Sequence, residues 1–243
     1  MLVPISDDDS RLSGLGKMTL LLIVLNVLVF LFQSDEMAYG YGLIPREIVT
    51  GQDYYGTAEE VQAGEAIEIP QYIGPTPIYL TFVSSMFMHG SLMHLLFNML
   101  FLFVFGDNVE HAFGTSRFLL FYLVYGIAAA AAQILQSPDS FFPMIGASGA
   151  ISGVLGAYLM LFPRNKVRVL FLYVFTFSVP ALAFLGVWIL MQFWNSYSGD
   201  LHDNTAYAAH IGGFVAGVLS GWFMKPYVRK MQKKTVEFVT EPV

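Results

Sequence analysis

The amino-acid sequence predicts an all-α polytopic membrane protein with six transmembrane helices. Hydrophobic residues make up 56% of the 243 residues, charged residues make up 12%, and the mean hydropathy is +0.59. Soluble domains carry about 25% charged residues, so this composition excludes an ordinary soluble domain. Six apolar segments approach the roughly 20 residues that a helix needs to cross a bilayer. The absence of cysteine excludes disulfides and thiolate chemistry.

The six predicted spans lie between charged residues and helix-breaking residues. They are 18–34, 91–106, 117–136, 147–162, 168–193 and 205–224. A signal peptide is the rival interpretation of Met18–Phe32, but Asp7–Asp9 offset the preceding positive charges and no small-residue cleavage site follows. The uncharged run Ile69–Gly106 is too long for one helix, and prolines interrupt its first half. We therefore expect only its later part to span.

Lys and Arg fall almost entirely on one side of these predicted spans, and Arg46 is the exception in the opposite loops. The long loop 35–80, on that opposite side, is rich in Asp and Glu. The positive-inside rule therefore predicts that both termini are cytoplasmic. We expect a cytoplasmic segment 1–17, a membrane core 18–224, and a basic cytoplasmic tail 225–243 that contacts anionic lipid headgroups.

Polar side chains enter three of the predicted spans near their outer ends. His94 and Asn98 lie one turn apart on the second span, Ser148 begins the fourth span, and His210 lies in the sixth. Spans two, four and six all run inward from the outer face, so a rise of about 1.5 Å per residue places these side chains in one shallow layer. Ionisable groups inside a membrane are costly and suggest a function.

Glycines line one side of the fourth and sixth spans. They are Gly149, Gly153 and Gly156 on the fourth span, and Gly213 and Gly217 on the sixth. Small residues at this spacing let two membrane helices approach closely. If the two faces meet, Ser148 and His210 come within reach of each other. Helix packing alone is the alternative explanation for these glycines.

The pairing of Ser148 with His210 has the chemistry of an activated nucleophile. Ser148 would attack a peptide carbonyl, and His210 would accept its proton and later return it. The backbone N–H of Ser148, at a helix N-terminus, could form an oxyanion hole together with the side chains of His94 and Asn98. Because His210 must be neutral to accept a proton, activity should fall as the pH drops through its pKa.

The same residues leave other interpretations open. No Asp or Glu lies in a span near His210, so we predict a dyad, and Asp200 or Asp203 in the outer loop is the less favoured third member. His94 and His210 could bind zinc, but zinc proteases expect a nearby carboxylate, so no metal or cofactor is predicted. A transporter also places polar residues in membrane helices, although here they are confined to the outer third.

Three motifs occur in order on the second, fourth and sixth predicted spans. They are His89-Gly-Ser-Leu-Met-His94-Leu-Leu-Phe-Asn98, Gly146-Ala-Ser148-Gly149, and Ala209-His210-Ile-Gly-Gly213 followed by Gly217. In these motifs the sequence resembles the rhomboid family of intramembrane serine proteases, over approximately residues 18–224. The resemblance implies a six-helix rhomboid-like bundle that cleaves transmembrane segments of membrane proteins near the outer membrane face.

The resemblance also implies a role for each motif residue. Ser148 would be the nucleophile, His210 the general base, and His94 with Asn98 would line the oxyanion hole. The expected structural residues are His89 and Glu110, and the expected helix-packing glycines are Gly146, Gly149, Gly153, Gly213 and Gly217. The implied partners are transmembrane-helix substrates and the lipid bilayer of a bacterial inner membrane, with no nucleic acid. The oligomeric state is not predicted.

Two positions depart from the pattern of this family. Ser152 stands four residues after Ser148, where some bacterial members place an aromatic ring against the catalytic histidine. The sequence therefore does not predict what orients His210. Residues Ile78-Tyr-Leu-Thr81 stand where some members have a Trp-Arg pair in the first loop, to which segment 35–80 corresponds. A catalytically silent binder of membrane proteins remains an alternative, but such a protein would be expected to lack the serine or the histidine.

Overall fold

The computed structural model describes residues 2–8, 14–62, 65–172, 174–198 and 205–240, and no side chain beyond residue 230. Its α-helices are α1 (Lys17–Phe32), α2 (Asp35–Gly40), α3 (Pro45–Thr50), α4 (Thr81–Ser84), α5 (Leu92–Phe113), α6 (Thr115–Gln136), α7 (Ser148–Leu161), α8 (Ala181–Ser198) and α9 (Tyr207–Thr240). Its strands are β1 (Leu2–Ser6), β2 (Gly56–Gln62), β3 (Glu65–Gln71), β4 (Lys166–Phe171) and β5 (Phe175–Pro180). The chain is therefore mostly helical.

Three helices in the described part of the chain are long and apolar enough to cross a membrane. They are α5, α6 and the portion Tyr207–Lys230 of α9. Helices α1 and α7 are also apolar but are shorter than a typical span. Each predicted span overlaps a helix, so the chain is a multi-pass membrane protein, and the number of six crossings stays a prediction.

The prediction of an all-α chain is wrong because the structure contains two antiparallel sheets. Strands β1, β4 and β5 form one sheet in the order β1–β4–β5, and β2 pairs with β3 in a second. In the second sheet Gly56 lies opposite Gln71 and Gln62 lies opposite Glu65. The first sheet joins the N-terminal segment to the connection between α7 and α8, so both lie at the same end of the bundle.

The predicted fifth span, 168–193, is wrong in its first half. Lys166–Phe171 and Phe175–Pro180 form the hairpin strands β4 and β5, and α8 begins at Ala181. Val167 and Val169 are buried at alternate positions of β4, as in a strand with one covered face. Average hydropathy does not separate such an apolar hairpin from a helix, because it ignores the period of the pattern.

Helices α7 and α9 are in backbone contact because glycines line both facing surfaces. A Cβ atom added to Gly213 would overlap the carbonyl oxygen of Gly149, and one added to Gly217 would overlap that of Gly153. A Cβ on Gly149 would also lie 2.6 Å from the Cβ of Ala129 on α6. Larger side chains would separate these helices, so the glycines set the spacing of α6, α7 and α9.

Aromatic side chains fill the core between α5, α6, α7 and α9. Phe105, Tyr122, Tyr125 and Tyr158 are fully buried. The hydroxyl of Tyr125 is hydrogen-bonded to Ser220 of α9. The rings of Phe105 and Tyr158 meet edge to face with centroids 5.0 Å apart, a favourable geometry for aromatic pairs.

The carboxylate of Glu110 on α5 holds the start of α1. It accepts the backbone N–H groups of Met18 at 3.0 Å and Thr19 at 2.8 Å. It also accepts the hydroxyls of Thr19 and Thr115, each at 2.9 Å. A carboxylate at a helix N-terminus satisfies unpaired donors and complements the helix dipole.

Segment 35–80 packs against the loop that precedes α7. Leu43 and Met144 exchange two backbone hydrogen bonds, of 2.9 and 2.8 Å. Glu60 accepts the backbone N–H of Phe141 at 2.8 Å. Arg46 forms an ion pair with Asp139. These contacts fix the backbone that leads into the first residue of α7.

Candidate active site

A cavity of about 1450 Å³ lies at the N-terminal ends of α5, α7 and α9. The side chains that line it include those of His94, Asn98, Ser148 and His210. Trp188 of α8 and several residues of segment 35–80 also line it. The structure therefore brings the four polar residues singled out in the sequence into one cavity.

Ser148 and His210 are in direct contact in this cavity. The Oγ atom of Ser148 lies 2.8 Å from Nε2 of His210. Ser148 is the first residue of α7, and His210 lies in the first turn of α9. This separation depends on the glycine contact between α7 and α9. Gly149, which follows Ser148, and Gly213, three residues after His210, bring the two helix backbones together next to both side chains. The serine hydroxyl thus has a proton acceptor at hydrogen-bonding distance.

His94 and Asn98 lie beside the backbone that leads into Ser148. A Cβ atom added to Gly146 would lie 2.6 Å from Cε1 of His94 and 3.5 Å from Nδ2 of Asn98. Gly146 also has φ of +118°, which a residue with a side chain rarely adopts. A glycine is required here both for the conformation and for the close approach of His94.

Asn98 supplies a donor to this part of the cavity. Its side chain is 7% exposed, and its Nδ2 has no hydrogen-bond partner among the residues that the structure describes. The backbone N–H of Ser148 is one of the first donors of α7, which have no partner within the helix. Together these groups could bind a negatively charged oxygen next to Ser148.

The ring of His89 packs against the ring of His94. His89 is fully buried, and its ring meets that of His94 edge to face, with centroids 5.1 Å apart. Its backbone N–H donates to Oε1 of Gln33 at 3.1 Å. Burial and, to a smaller extent, the nearby His94 lower the pKa of His89 to about 4. His89 is therefore neutral at pH 7, and its Nδ1 lies 3.3 Å from the backbone carbonyl oxygen of Phe87.

Two residues of α8 near His210 were missed by the sequence analysis. Oε1 of Gln192 lies 2.8 Å from Nδ1 of His210. The ring of Trp188 lies 6.1 Å from the His210 ring, centroid to centroid. The one feature of the sequence that could have indicated Gln192 is its neutral amide near the outer end of the predicted span 168–193. Asp200 and Asp203, the alternative third members, lie outside the residues that the structure describes.

A family model described as a Rhomboid domain matches residues 77–227, which is more than half of the chain. The chain belongs to the rhomboid family. The resemblance carried by the three sequence motifs is thereby confirmed.

The rhomboid chain is similar to several proteins along different fractions of their length. It is 28% identical to Rhomboid protease GlpG of Haemophilus influenzae over 226 residues, which cover 91% of this chain and 96% of the relative. It is 32% identical to the mitochondrial Rhomboid protein 1 of Saccharomyces cerevisiae over 65% of this chain and 45% of the yeast protein. It is 35% identical to Rhomboid protease GluP of Bacillus subtilis over 54% of this chain and 23% of that protein.

Proposed function

We propose that this rhomboid is an intramembrane serine endopeptidase that uses Ser148 and His210 as a catalytic dyad. The observation that carries the proposal is the 2.8 Å contact between Oγ of Ser148 and Nε2 of His210. Two relatives named as rhomboid proteases support the reaction class. The unpartnered Nδ2 of Asn98 in the same cavity supports acyl transfer in particular, since that reaction develops an oxyanion.

The first half of the reaction forms an acyl-enzyme. Oγ of Ser148 attacks the carbonyl carbon of the scissile peptide, and its proton passes to Nε2 of His210. The carbonyl oxygen becomes negative and receives N–H groups from the backbone of Ser148 and from Asn98. The carbon–nitrogen bond then breaks, and His210 returns the proton to the leaving amine.

The second half releases the product. A water molecule gives its proton to Nε2 of His210 and attacks the ester carbon. The bond to Oγ breaks, the proton returns to Ser148, and the new carboxyl end of the substrate leaves. His210 therefore acts as base and acid in both halves, and it must be neutral at the start of each.

The substrates that we propose are transmembrane segments of other membrane proteins. A peptide bond inside a helix is shielded by its own turns, so a substrate must partly unwind before Ser148 can reach the carbonyl carbon. Helix-breaking or small residues near the outer end of a substrate should therefore favour cleavage. The cavity of about 1450 Å³ offers room for such an unwound segment.

We further propose six crossings of a bacterial inner membrane, with both termini in the cytoplasm. The distribution of Lys and Arg supports this orientation. Since the chain has no cysteine, single cysteines introduced at Thr57 and Lys166 test it with a membrane-impermeant thiol reagent. In intact cells we expect labelling of Thr57→Cys and no labelling of Lys166→Cys. Labelling of Lys166→Cys alone would show that the chain has the opposite orientation.

Co-expression with a reporter membrane helix tests the proposed reaction. We expect the wild type to cleave the reporter, and Ser148→Ala and His210→Ala each to abolish cleavage. The matched controls are Ser152→Ala and His111→Ala. The hydroxyl of Ser152 donates to the backbone carbonyl of Ser148 within α7, and His111 lies at the far end of α5. Both controls should cleave.

Three outcomes would contradict the proposal. The first is unchanged cleavage by Ser148→Ala or His210→Ala. The second is a wild type that cleaves no reporter from a panel of membrane helices with and without helix-breaking residues. The third is solute flux through wild-type liposomes without cleavage, which would indicate a transporter instead.

A further inference from the structure

The imidazole of His210 is held at both of its nitrogens. Nε2 lies 2.8 Å from Oγ of Ser148, and Nδ1 lies 2.8 Å from Oε1 of Gln192 on α8. The side chain of Gln192 is 7% exposed. Three helices thus contribute one side chain each to a continuous hydrogen-bonded row, Gln192–His210–Ser148.

The second contact of the Gln192 side chain indicates which of its two amide atoms faces His210. Its Nε2 lies 3.5 Å from the backbone carbonyl oxygen of Trp188. A carbonyl oxygen accepts hydrogen bonds and cannot donate, so this long contact favours the orientation with the NH₂ group on that side. Oε1 therefore faces Nδ1 of His210 as an acceptor, and the atom that it contacts must carry the proton.

This orientation fixes the state of the other ring nitrogen. A neutral imidazole carries one proton, so a proton on Nδ1 leaves a lone pair on Nε2. That lone pair faces the hydroxyl of Ser148, which is the arrangement that a general base requires. The opposite tautomer would place an N–H against the serine, and Nε2 could not accept its proton.

We infer that Gln192 is a positioning residue that holds His210 in its Nδ1–H tautomer, ready to accept the proton of Ser148. This inference rests on the proposed dyad. Gln192 does not line the cavity among the described residues, so it acts through His210 and not through the substrate. A buried amide here has the place that a carboxylate has in a full serine-protease triad.

Helix α8 also supplies one of the aromatic rings beside His210, and Tyr207 of α9 supplies another. The planes of Trp188 and His210 are inclined by 36°, with centroids 6.1 Å apart. Ser152, one turn after the nucleophile, instead donates its hydroxyl to the carbonyl of Ser148 at 2.7 Å. In this chain α8 therefore contributes to the orientation of His210 through Gln192 and Trp188, whereas Ser152 of α7 bonds its own helix.

A spectroscopic measurement tests the tautomer without any assay of activity. Two-bond ¹H–¹⁵N spectra of the full chain with ¹⁵N-labelled histidine distinguish the two neutral tautomers, and His210→Ala identifies the signals of His210. We expect the Nδ1–H form in the wild type and a shift toward the Nε2–H form in Gln192→Met, which keeps the volume but removes the acceptor. The control is Gln136→Met, because Gln136 also bonds α8, through Ser196 at 3.2 Å, away from the dyad.

Kinetics with a reporter substrate give the second readout. We expect Gln192→Met to lower kcat by about 10- to 100-fold with KM unchanged, the range seen when the partner that orients a metal-binding histidine is removed. Gln192→Glu keeps an oxygen acceptor at the same place, so its kcat should lie well above that of Gln192→Met. Gln136→Met should match the wild type. Thermal unfolding identifies any variant that fails to fold, and Gln192→Ala then replaces Gln192→Met.

The outcomes separate this inference from the proposed function. A folded Gln192→Met variant with wild-type kcat and an unchanged tautomer would overturn the positioning role and leave the dyad intact. A wild type that cleaves nothing, but whose His210 changes tautomer in Gln192→Met, would contradict the protease and support the contact. Equal loss of kcat in Gln192→Glu and Gln192→Met, with no change of tautomer, would also overturn it.

Discussion

At the scale of single residues, Asn98 shows most clearly what the cavity is suited to bind. A buried donor without a partner costs about 1–3 kcal/mol, so a folded protein rarely keeps one without a purpose. Nδ2 of Asn98 is such a donor among the described residues, and it lies near Gly146 in the backbone that leads into Ser148. An oxyanion formed on Ser148 would satisfy it.

Replacing Asn98 with leucine should therefore separate activity from stability. We expect Asn98→Leu to lower kcat by about 10²- to 10³-fold, the usual effect of removing one oxyanion donor. Stability should stay the same or rise, since an apolar side chain of similar volume removes an unsatisfied group. Cleavage kinetics and thermal unfolding in detergent measure both. Unchanged kcat with reduced stability would show that Asn98 has a structural role only.

Glu47 makes the stability of segment 35–80 sensitive to pH. It is buried on α3, and burial raises its pKa to about 7. The backbone N–H of Tyr54, donated to Oε1 at 3.0 Å, opposes this change, and Asp53 adds to it. A raised pKa means that the folded protein binds this proton more tightly than the unfolded chain does. The stabilisation is therefore full below the ordinary pKa of 4.5 and is lost as the pH rises through about 7.

The variant Glu47→Gln should remove this dependence on pH. Glutamine can accept the same N–H of Tyr54 without a charge. We expect the variant to be more stable than the wild type above about pH 7, by up to about 3 kcal/mol, and equal to it below about pH 4.5, since one pKa unit is about 1.4 kcal/mol. Thermal unfolding at pH 8 and pH 4.5 measures the difference. The control is the exposed Glu65→Gln, and a gain of equal size there would refute the explanation.

At the scale of elements, the contact between α7 and α9 determines whether the site exists. Gly217 of α9 lies against the backbone carbonyl of Gly153 so closely that an added Cβ would overlap its oxygen. Gly213 lies in the same way against Gly149, one turn nearer the cavity. Any increase in side-chain size on this face pushes Ser148 and His210 apart.

The variant Gly217→Ala tests this dependence with the smallest possible change. We expect it to destabilise the protein by about 1–3 kcal/mol, the cost of overpacking, and to lower kcat because the dyad is displaced. Gly186→Ala is the matched control, since no atom lies within 4 Å of its added Cβ. Unfolding and cleavage are measured for both. Equal behaviour of the two variants would mean that the glycine contact does not set the spacing.

The elements also show where sequence reasoning succeeded and where it failed. The spacing of the glycines and the similar depth of the polar residues in the membrane predicted a contact between Ser148 and His210. Both properties can be derived from positions within single helices. The hairpin β4–β5 was missed because its residues are as apolar as a membrane helix. Gln192 was missed because a neutral amide carries no charge or motif, and its importance arises only from the helix packing that places it against His210.

At the scale of the whole molecule, the fold places a cavity that contains Ser148 and His210 at one end of an apolar bundle. Segment 35–80 holds the loop before α7 at that end, and the sheet β1–β4–β5 joins the N-terminal segment to the bundle at the other. Both sheets lie outside the long apolar helices. This arrangement accounts for a chain that has the composition of a membrane protein and yet gathers polar side chains in one cavity.

Labelling of the nucleophile tests the central claim, a Ser148–His210 dyad, most directly. The full chain in lipid vesicles is treated with a fluorophosphonate, and the modified residue and its rate of modification are determined by mass spectrometry. We predict modification at Ser148 alone, slowed by at least about 100-fold in His210→Ala, since the base supplies about 10²- to 10⁴-fold. Modification at another serine, or an equal rate at Ser148 in His210→Ala, would contradict the account.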